Sequence, residues 1–390
     1  MPELLKNDEK KVEYIELIYD LIFVYMIGRN NALIHHVSDG IIDPRLYMTY
    51  LVCTLVTIQI WYMTVLFINR YGANDRSMYI GLFVNMFFLY YMADSIELSS
   101  SGSFYRFSIS WLMILINIMI QYLLKYRQSR EDAPWESANI LFFVRMLGIM
   151  AAIIVISFPV YLLTGLPLSP AAMIFGIIMS LAGRSQIDLI AVDFPHLSER
   201  VMLYVVFTFG EMIIALSAYF GGDFSFSSLY YSVCGFLIVA GLFMSYGFLY
   251  DHMLDRDMNI SGNRYMLIHI VIIFALSNLT VALEFMREPE VDFVFKNVYI
   301  TASFVVYYVF LFMLAPYFKG YSGTVACLRW FALSLASFVI LMFLFYRNSY
   351  ISIAAGVALT FVILYLEYRY KREMIDPNTD QCLLRPDLDE

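Results

Sequence analysis

Apolar residues run along this chain in blocks of about twenty, divided by short polar stretches. A helix of about 20 residues crosses the hydrocarbon layer of a bilayer. The blocks are continuous, which excludes a barrel whose strands alternate apolar and polar positions. Twelve runs are predicted as helical spans: 14–34, 46–69, 78–98, 104–124, 138–163, 170–190, 200–220, 228–250, 264–285, 297–315, 326–346 and 349–368. The expected fold class is therefore all-α, a polytopic membrane helix bundle of about 12 transmembrane helices. The tenth run ends at Pro316, and only Arg347–Asn348 separates the last two. The stretch SGSFYRFS, residues 101–108, reads as a loop.

Composition sharpens this picture. Of 390 residues, 61% are hydrophobic and 15% charged, too few charges to coat a soluble surface of this length. The net charge of −8 owes much to the two terminal stretches, residues 1–13 and 376–390. No basic patch points to nucleic acid. Cys53, Cys234 and Cys327 lie in apolar runs and Cys382 in the tail, so no Cys/His cluster supports a metal or redox site. The first thirteen residues are polar and lead directly into a run, with no signal-peptide pattern.

Lys and Arg counts in the short loops predict orientation. With twelve spans, 17 of the 25 basic residues fall on the side of both termini, 5 on the other and 3 within spans. Both termini are expected in the cytoplasm, with the chain in the cell (plasma) membrane. The bilayer is the expected partner, with a small-molecule or ion substrate and no nucleic acid.

A shift of about 183 residues lays one half over the other. Glu16 falls on Glu199, Gly28-Arg29 on Gly210-Glu211, Tyr62 on Tyr246 and Arg145 on Arg329. Six spans per half is an even number, so the copies are expected to be parallel, related by an axis along the membrane normal. The predicted organisation is an N-terminal segment (1–13), a first six-helix repeat (14–190), a second (191–368) and a cytoplasmic tail (369–390).

Ionisable groups inside spans carry the functional signal. Each costs about 2.5–3.5 kcal/mol on insertion scales, so it pairs, lines a wet cavity or does work. Glu16 and Asp20 are four apart and share one helix face. They repel unless a cation intervenes. Arg29 lies nine residues beyond Asp20, on the opposite face. Glu199 and Arg200 are placed at the cytoplasmic entrance of the seventh span, and Glu211 near mid-membrane. The repeat sets Arg29 beside Glu211 at equal depth, so an Arg29–Glu211 ion pair is expected, with Arg145 and Arg329 as competing partners. Arg145 and Arg329 equally suit snorkelling or carbonyl bonding at helix ends. His269 is the one histidine well inside a predicted span, either a hydrogen-bonded packing residue or a proton relay.

The two charged segments carry a resemblance. Glu16-Leu17-Ile18-Tyr19-Asp20-Leu21-Ile22-Phe23-Val24 is similar to the E-L-x-x-D-L-x-F-V opening of the bacterial low temperature requirement protein A family. His196-Leu197-Ser198-Glu199-Arg200 and Phe209-Gly210-Glu211 resemble its H-x-x-E-R and G-E elements. The resemblance extends in layout over nearly the whole chain and implies a polytopic membrane protein. It implies no substrate or reaction. Arg29 departs from the residue expected there in the family, which is neutral.

Two functions are therefore expected. The first is a secondary transporter or ion-coupled permease whose Glu16, Asp20, Glu199 and Glu211 bind protons or a cation, tuned by Arg200 and Arg29. The alternative is a non-transporting stress, temperature-adaptation or sensor protein whose charges are structural ion pairs. No GxSxG, HExxH, Walker A or GxGxxG motif is present, so no enzyme, cofactor or catalytic residue is expected.

Overall fold

The computed structural model describes residues 11–35, 37–72, 74–96, 101–129, 134–182, 190, 192–217, 225–319 and 325–375. Twelve α-helices are described. They are α1 (Tyr14–Ala32), α2 (Pro44–Tyr71), α3 (Arg76–Asp94), α4 (Ser101–Ser129), α5 (Pro134–Thr164) and α6 (Pro170–Ala182), then α7 (Phe194–Leu216), α8 (Phe226–Phe248), α9 (Asn263–Arg287), α10 (Phe293–Phe312), α11 (Val325–Leu344) and α12 (Ser349–Ile375). Each overlaps one predicted run.

Short polar residues set the helix starts. Asp43, Asp75, Asp193, Ser225 and Asp292 cap α2, α3, α7, α8 and α10, their side chains accepting from backbone N–H groups of the first turn. Proline follows at the opening of α2 and α7, where its missing N–H costs nothing.

Among the described residues, seven helices are long and apolar enough to cross a membrane: α2, α4, α5, α8, α9, α10 and α12. Helices α1 and α7 are long enough, but each carries three Asp, Glu or Arg side chains, Glu16, Asp20 and Arg29 on one and Glu199, Arg200 and Glu211 on the other. These charges make the two helices less apolar than the seven. The exterior is apolar, with Phe83, Phe87, Leu162, Leu163, Ile214 and Leu344 all more than half exposed. Such a surface suits lipid, not water. Helices α2 and α9 are the most enclosed spans.

Two local features depart from the sequence reading. SGSFYRFS forms the first two turns of α4 instead of a loop. Residues 37–42 form a small hairpin, β1 (Val37–Ser38) paired with β2 (Ile41–Ile42). Its Asp39-Gly40 turn has positive φ at both residues, the two-residue turn that matches strand twist. Gly40 O accepts from Asp292 N at 2.8 Å, tying this hairpin to the start of α10.

Helix α1 packs on α2 and α3, α3 on α4, α4 on α5, α5 on α6 and α6 back on α2. In the second half α7 packs on α8 and α9, α9 on α10, α10 on α11, α11 on α12 and α12 back on α8. In addition, α2 meets α4 in the first half, while α9 and α10 meet α12 in the second. Helices α1 and α2 of the first half meet α7 and α9 of the second.

Candidate functional site

The α1–α7 contact carries the charges. Its helices run parallel, since Glu16 and Asp20 meet Arg200 while Gly28, further along α1, meets Glu211. Glu16 and Asp20 lie one turn apart on α1, His196 and Arg200 one turn apart on α7. The two i,i+4 pairs face each other as rungs of a ladder. Arg200 Nε donates to Asp20 Oδ2 at 2.7 Å and its Nη2 to Asp20 Oδ1 at 2.6 Å, a two-pronged fork. Its Nη1 donates to Glu16 Oε2, so Arg200 is the cation between the two acids. Helix α2 closes the site: Trp61 Nε1 donates to Asp20 Oδ1 at 3.0 Å.

His196 joins the ladder through a fixed tautomer. Asn69 Oδ1 accepts from Asp193 N at 3.0 Å, and its Nδ2 donates to Asp193 O at 2.9 Å. That double bond orients the amide. Its Nδ2 therefore also faces His196 Nδ1 at 3.0 Å, which must accept. The ring proton then sits on Nε2, 3.1 Å from Glu16 Oε2, and is donated to it. His196 is neutral in this arrangement. With both acids ionised the cluster carries one net negative charge.

The site is dry. Glu16, Asp20 and Arg200 are 0% exposed and His196 1%. Tyr19, Phe23, Trp61 and Tyr204 are buried around it, with Trp61 and Tyr204 rings 4.6 Å apart. Desolvating charges this way is offset only by near-complete hydrogen bonding. Arg200 is thus buried between helices, because the start of α7 packs against α1 and α2.

The other end of the same contact differs. Glu211 is half-buried against Gly28, where a Cβ would stand 2.8 Å from its Oε1. Only glycine admits that approach. Its charge is felt by Glu284 of α9 and by His35. His35 Nε2 lies 2.8 Å from Glu284 Oε2, with the two side chains 43% and 18% exposed. Burial disfavours charged His35, but the Glu284 carboxylate outweighs it and holds the imidazole above its usual range.

The remaining predicted residues stand apart. The expected Arg29–Glu211 ion pair does not form. Arg29 Nε instead donates to Ala93 O at 3.4 Å, because Arg29 turns towards α3 while Gly28 takes the α7 side. Arg145 and Arg329 are exposed on α5 and α11, far from any role as partners of Glu211. Glu199 is one residue off the buried face and stays half-buried beside Tyr250. His269 is fully buried in α9. Its Nδ1 faces Tyr265 O at 2.9 Å and its Nε2 faces Tyr246 Oη at 3.1 Å, so both nitrogens are satisfied. Among the described residues no group of His, Cys, Asp and Glu could hold a metal ion. Charge-based reading of the sequence left out His196, Asn69 and Trp61, which are neutral here. Besides the H-x-x-E-R resemblance, the spacing of His196 to Arg200, equal to that of Glu16 to Asp20, signals the ladder.

A buried ionic ladder between helices of an apolar-surfaced bundle defines a multi-pass helical membrane protein. The model of the bacterial low temperature requirement A protein (LtrA) family matches residues 11–366, and the chain belongs to that family. No curated protein matches it.

Proposed function

We propose that this protein is an ion-coupled secondary transporter of the cell membrane, with its two halves closed on one side and open on the other. The carrying observation is the contrast along α1 and α7. The ladder at one end is dry, with both acids bonded to Arg200, while the carboxylates at the other end are partly exposed. The contacts pair residues of α1 with residues 180 to 184 positions later. That range includes the sequence-repeat offset of about 183 residues. A twofold axis running between α1 and α7 produces such pairing, and the matching neighbour lists of the two halves support parallel repeats. Halves that rock about this axis would part the ladder and expose it. Loop charge bias supports cytoplasmic termini.

Glu16 is the coupling group in this reading. Asp20 is held by both prongs of Arg200, and His196 is fixed neutral by Asn69. A proton entering the cluster therefore goes to Glu16 and cancels the net charge. The test is proton flux in liposomes loaded with a pH-sensitive dye, driven by candidate substrates. Wild type is expected to couple flux to a substrate, and Glu16→Gln and Glu211→Gln to lose coupling. A substrate moved normally by both variants overturns the role.

The burial of the whole ladder favours a second reading, in which it only fixes helix packing in a non-transporting sensor or stress protein. In that case the neutral variants lose thermal stability and no flux exists to be lost.

A further inference from the structure

Between the two ends of the α1–α7 contact lies a layer of packed aromatic rings. Phe23 of α1 stands three residues beyond Asp20 and five before Gly28. Tyr204 of α7 stands four residues beyond Arg200 and seven before Glu211. About 12 Å of helix separates Asp20 from Gly28, and these two rings fall within it. The Phe23 and Tyr204 rings are 5.6 Å apart. Tyr19 packs on Phe23 at 5.3 Å and Trp61 on Tyr204 at 4.6 Å. All four residues are 0% exposed.

One polar atom in this layer is out of place. Tyr19 Oη donates to Thr64 Oγ1 at 3.1 Å, and Trp61 Nε1 donates to Asp20 Oδ1 at 3.0 Å. Tyr204 Oη is equally buried, yet among the described residues it meets no hydrogen-bond partner. A buried hydroxyl without a partner destabilises the arrangement that seals it and stores strain there. Any displacement that lets water reach the hydroxyl relieves that cost. The sealed arrangement therefore carries a bias towards opening.

We propose that Phe23 and Tyr204 form a gate for water, one ring from each half, between the dry ladder and the partly exposed Glu211. Closed, the gate keeps water away from Glu16 and Asp20. When the halves part, the rings separate, the Tyr204 hydroxyl is hydrated, and water reaches the acids from the Glu211 end. Phe23 is the passive stop, since its ring has no polar atom to hydrate. Tyr204 supplies both the second ring and the bias. The purpose of the gate rests on the transport reading of the same contact. Its test reads water and not flux, so either can fail alone.

The test uses the full chain in lipid nanodiscs. A brief X-ray pulse makes hydroxyl radicals from local water, and mass spectrometry reads the oxidation of Trp61, which lies against both Tyr204 and Asp20. Trp111 of α4, 1% exposed and outside this contact, is the control for unfolding. Phe23→Ala is expected to raise Trp61 oxidation at least fivefold with Trp111 unchanged. Tyr204→Phe keeps the ring and removes the idle hydroxyl. It is expected to lower Trp61 oxidation at least threefold and to raise the Tm. Trp61 oxidation in Phe23→Ala equal to that of wild type overturns the gate. So does a Tyr204→Phe protein oxidised as fast as wild type, a comparison that stands even where Phe23→Ala unfolds and Trp111 is oxidised with it. A protein that moves no substrate yet shows the expected pattern keeps the gate and loses the transport reading.

Discussion

The two ends of the α1–α7 contact hold similar chemistry in opposite surroundings. At one end two acids, an arginine and a histidine are sealed from water, with Asp20 held by two prongs. At the other, Glu211, Glu284 and His35 are joined by a single short contact and remain partly exposed. The same parallel helices build both. The difference lies in what surrounds them: α2 supplies Trp61 and Asn69 to the first and leaves the second open. Charge alone does not define a site here. Enclosure decides whether a carboxylate is part of the frame or available to a ligand.

The sharpest way to break this contrast is to remove the central cation. Arg200→Met leaves Glu16 and Asp20 buried with no partner. Breaking a buried pair from one side costs about 3–5 kcal/mol. Thermal unfolding in nanodiscs is expected to show a severe loss or failure to fold. A Tm within a degree or two of wild type would mean that water reaches the ladder.

Sequence alone made some of this legible. All twelve described helices fall on apolar runs, and seven of them are long and apolar enough to cross a membrane. Glu16, Asp20 and Arg200 stood out as ionisable residues within such runs. Their partnership did not, since a helical wheel relates residues within one helix only. The α1–α7 contact is tertiary, and Gly28, which meets the Glu211 side chain there, gives no charge signal. The same limit explains the Arg29–Glu211 expectation. Gly28 faces α7, and its neighbour Arg29 points to Ala93.

A second comparison lies inside the ladder. Asp20→Asn removes the fork on Arg200, a charge-assisted contact worth about 1.5–3 kcal/mol. Glu16→Gln keeps an acceptor for Arg200 and His196 and lowers the net negative charge. Asp20→Asn is therefore expected to reduce thermal stability clearly more than Glu16→Gln. The reverse order would move the proton site from Glu16 to Asp20.

At the open end, Glu211→Gln is expected to change stability by less than about 0.5 kcal/mol, the usual range for partly exposed substitutions. Gly28→Ala, in contrast, pushes a methyl to within 2.8 Å of the Glu211 carboxylate. Because that carboxylate ends a flexible side chain, the methyl should displace it and cost slightly more than Glu211→Gln. Combining them tests the contact itself. If Gly28→Ala is no milder in the Glu211→Ala background, the close approach is not what the glycine serves.

The smallest effect belongs to His35 and is read through pH. Burial opposes its charge, yet the Glu284 carboxylate holds its folded-state value above the usual 6.5. A raised value means that the folded protein binds the proton more tightly than the unfolded chain. The stabilisation is therefore full below about pH 6, near the ordinary histidine range, and is lost as pH rises through the folded value. With 43% of the side chain exposed, solvent screens the pair and the effect is small. A melting series from pH 5.5 to 8.5 on wild type and His35→Gln should converge at high pH and separate at low pH. Divergence in the opposite direction would show that His35 is neutral in the fold. The open end would then hold two unneutralised carboxylates, Glu211 and Glu284, and would bind a cation more readily than it releases one.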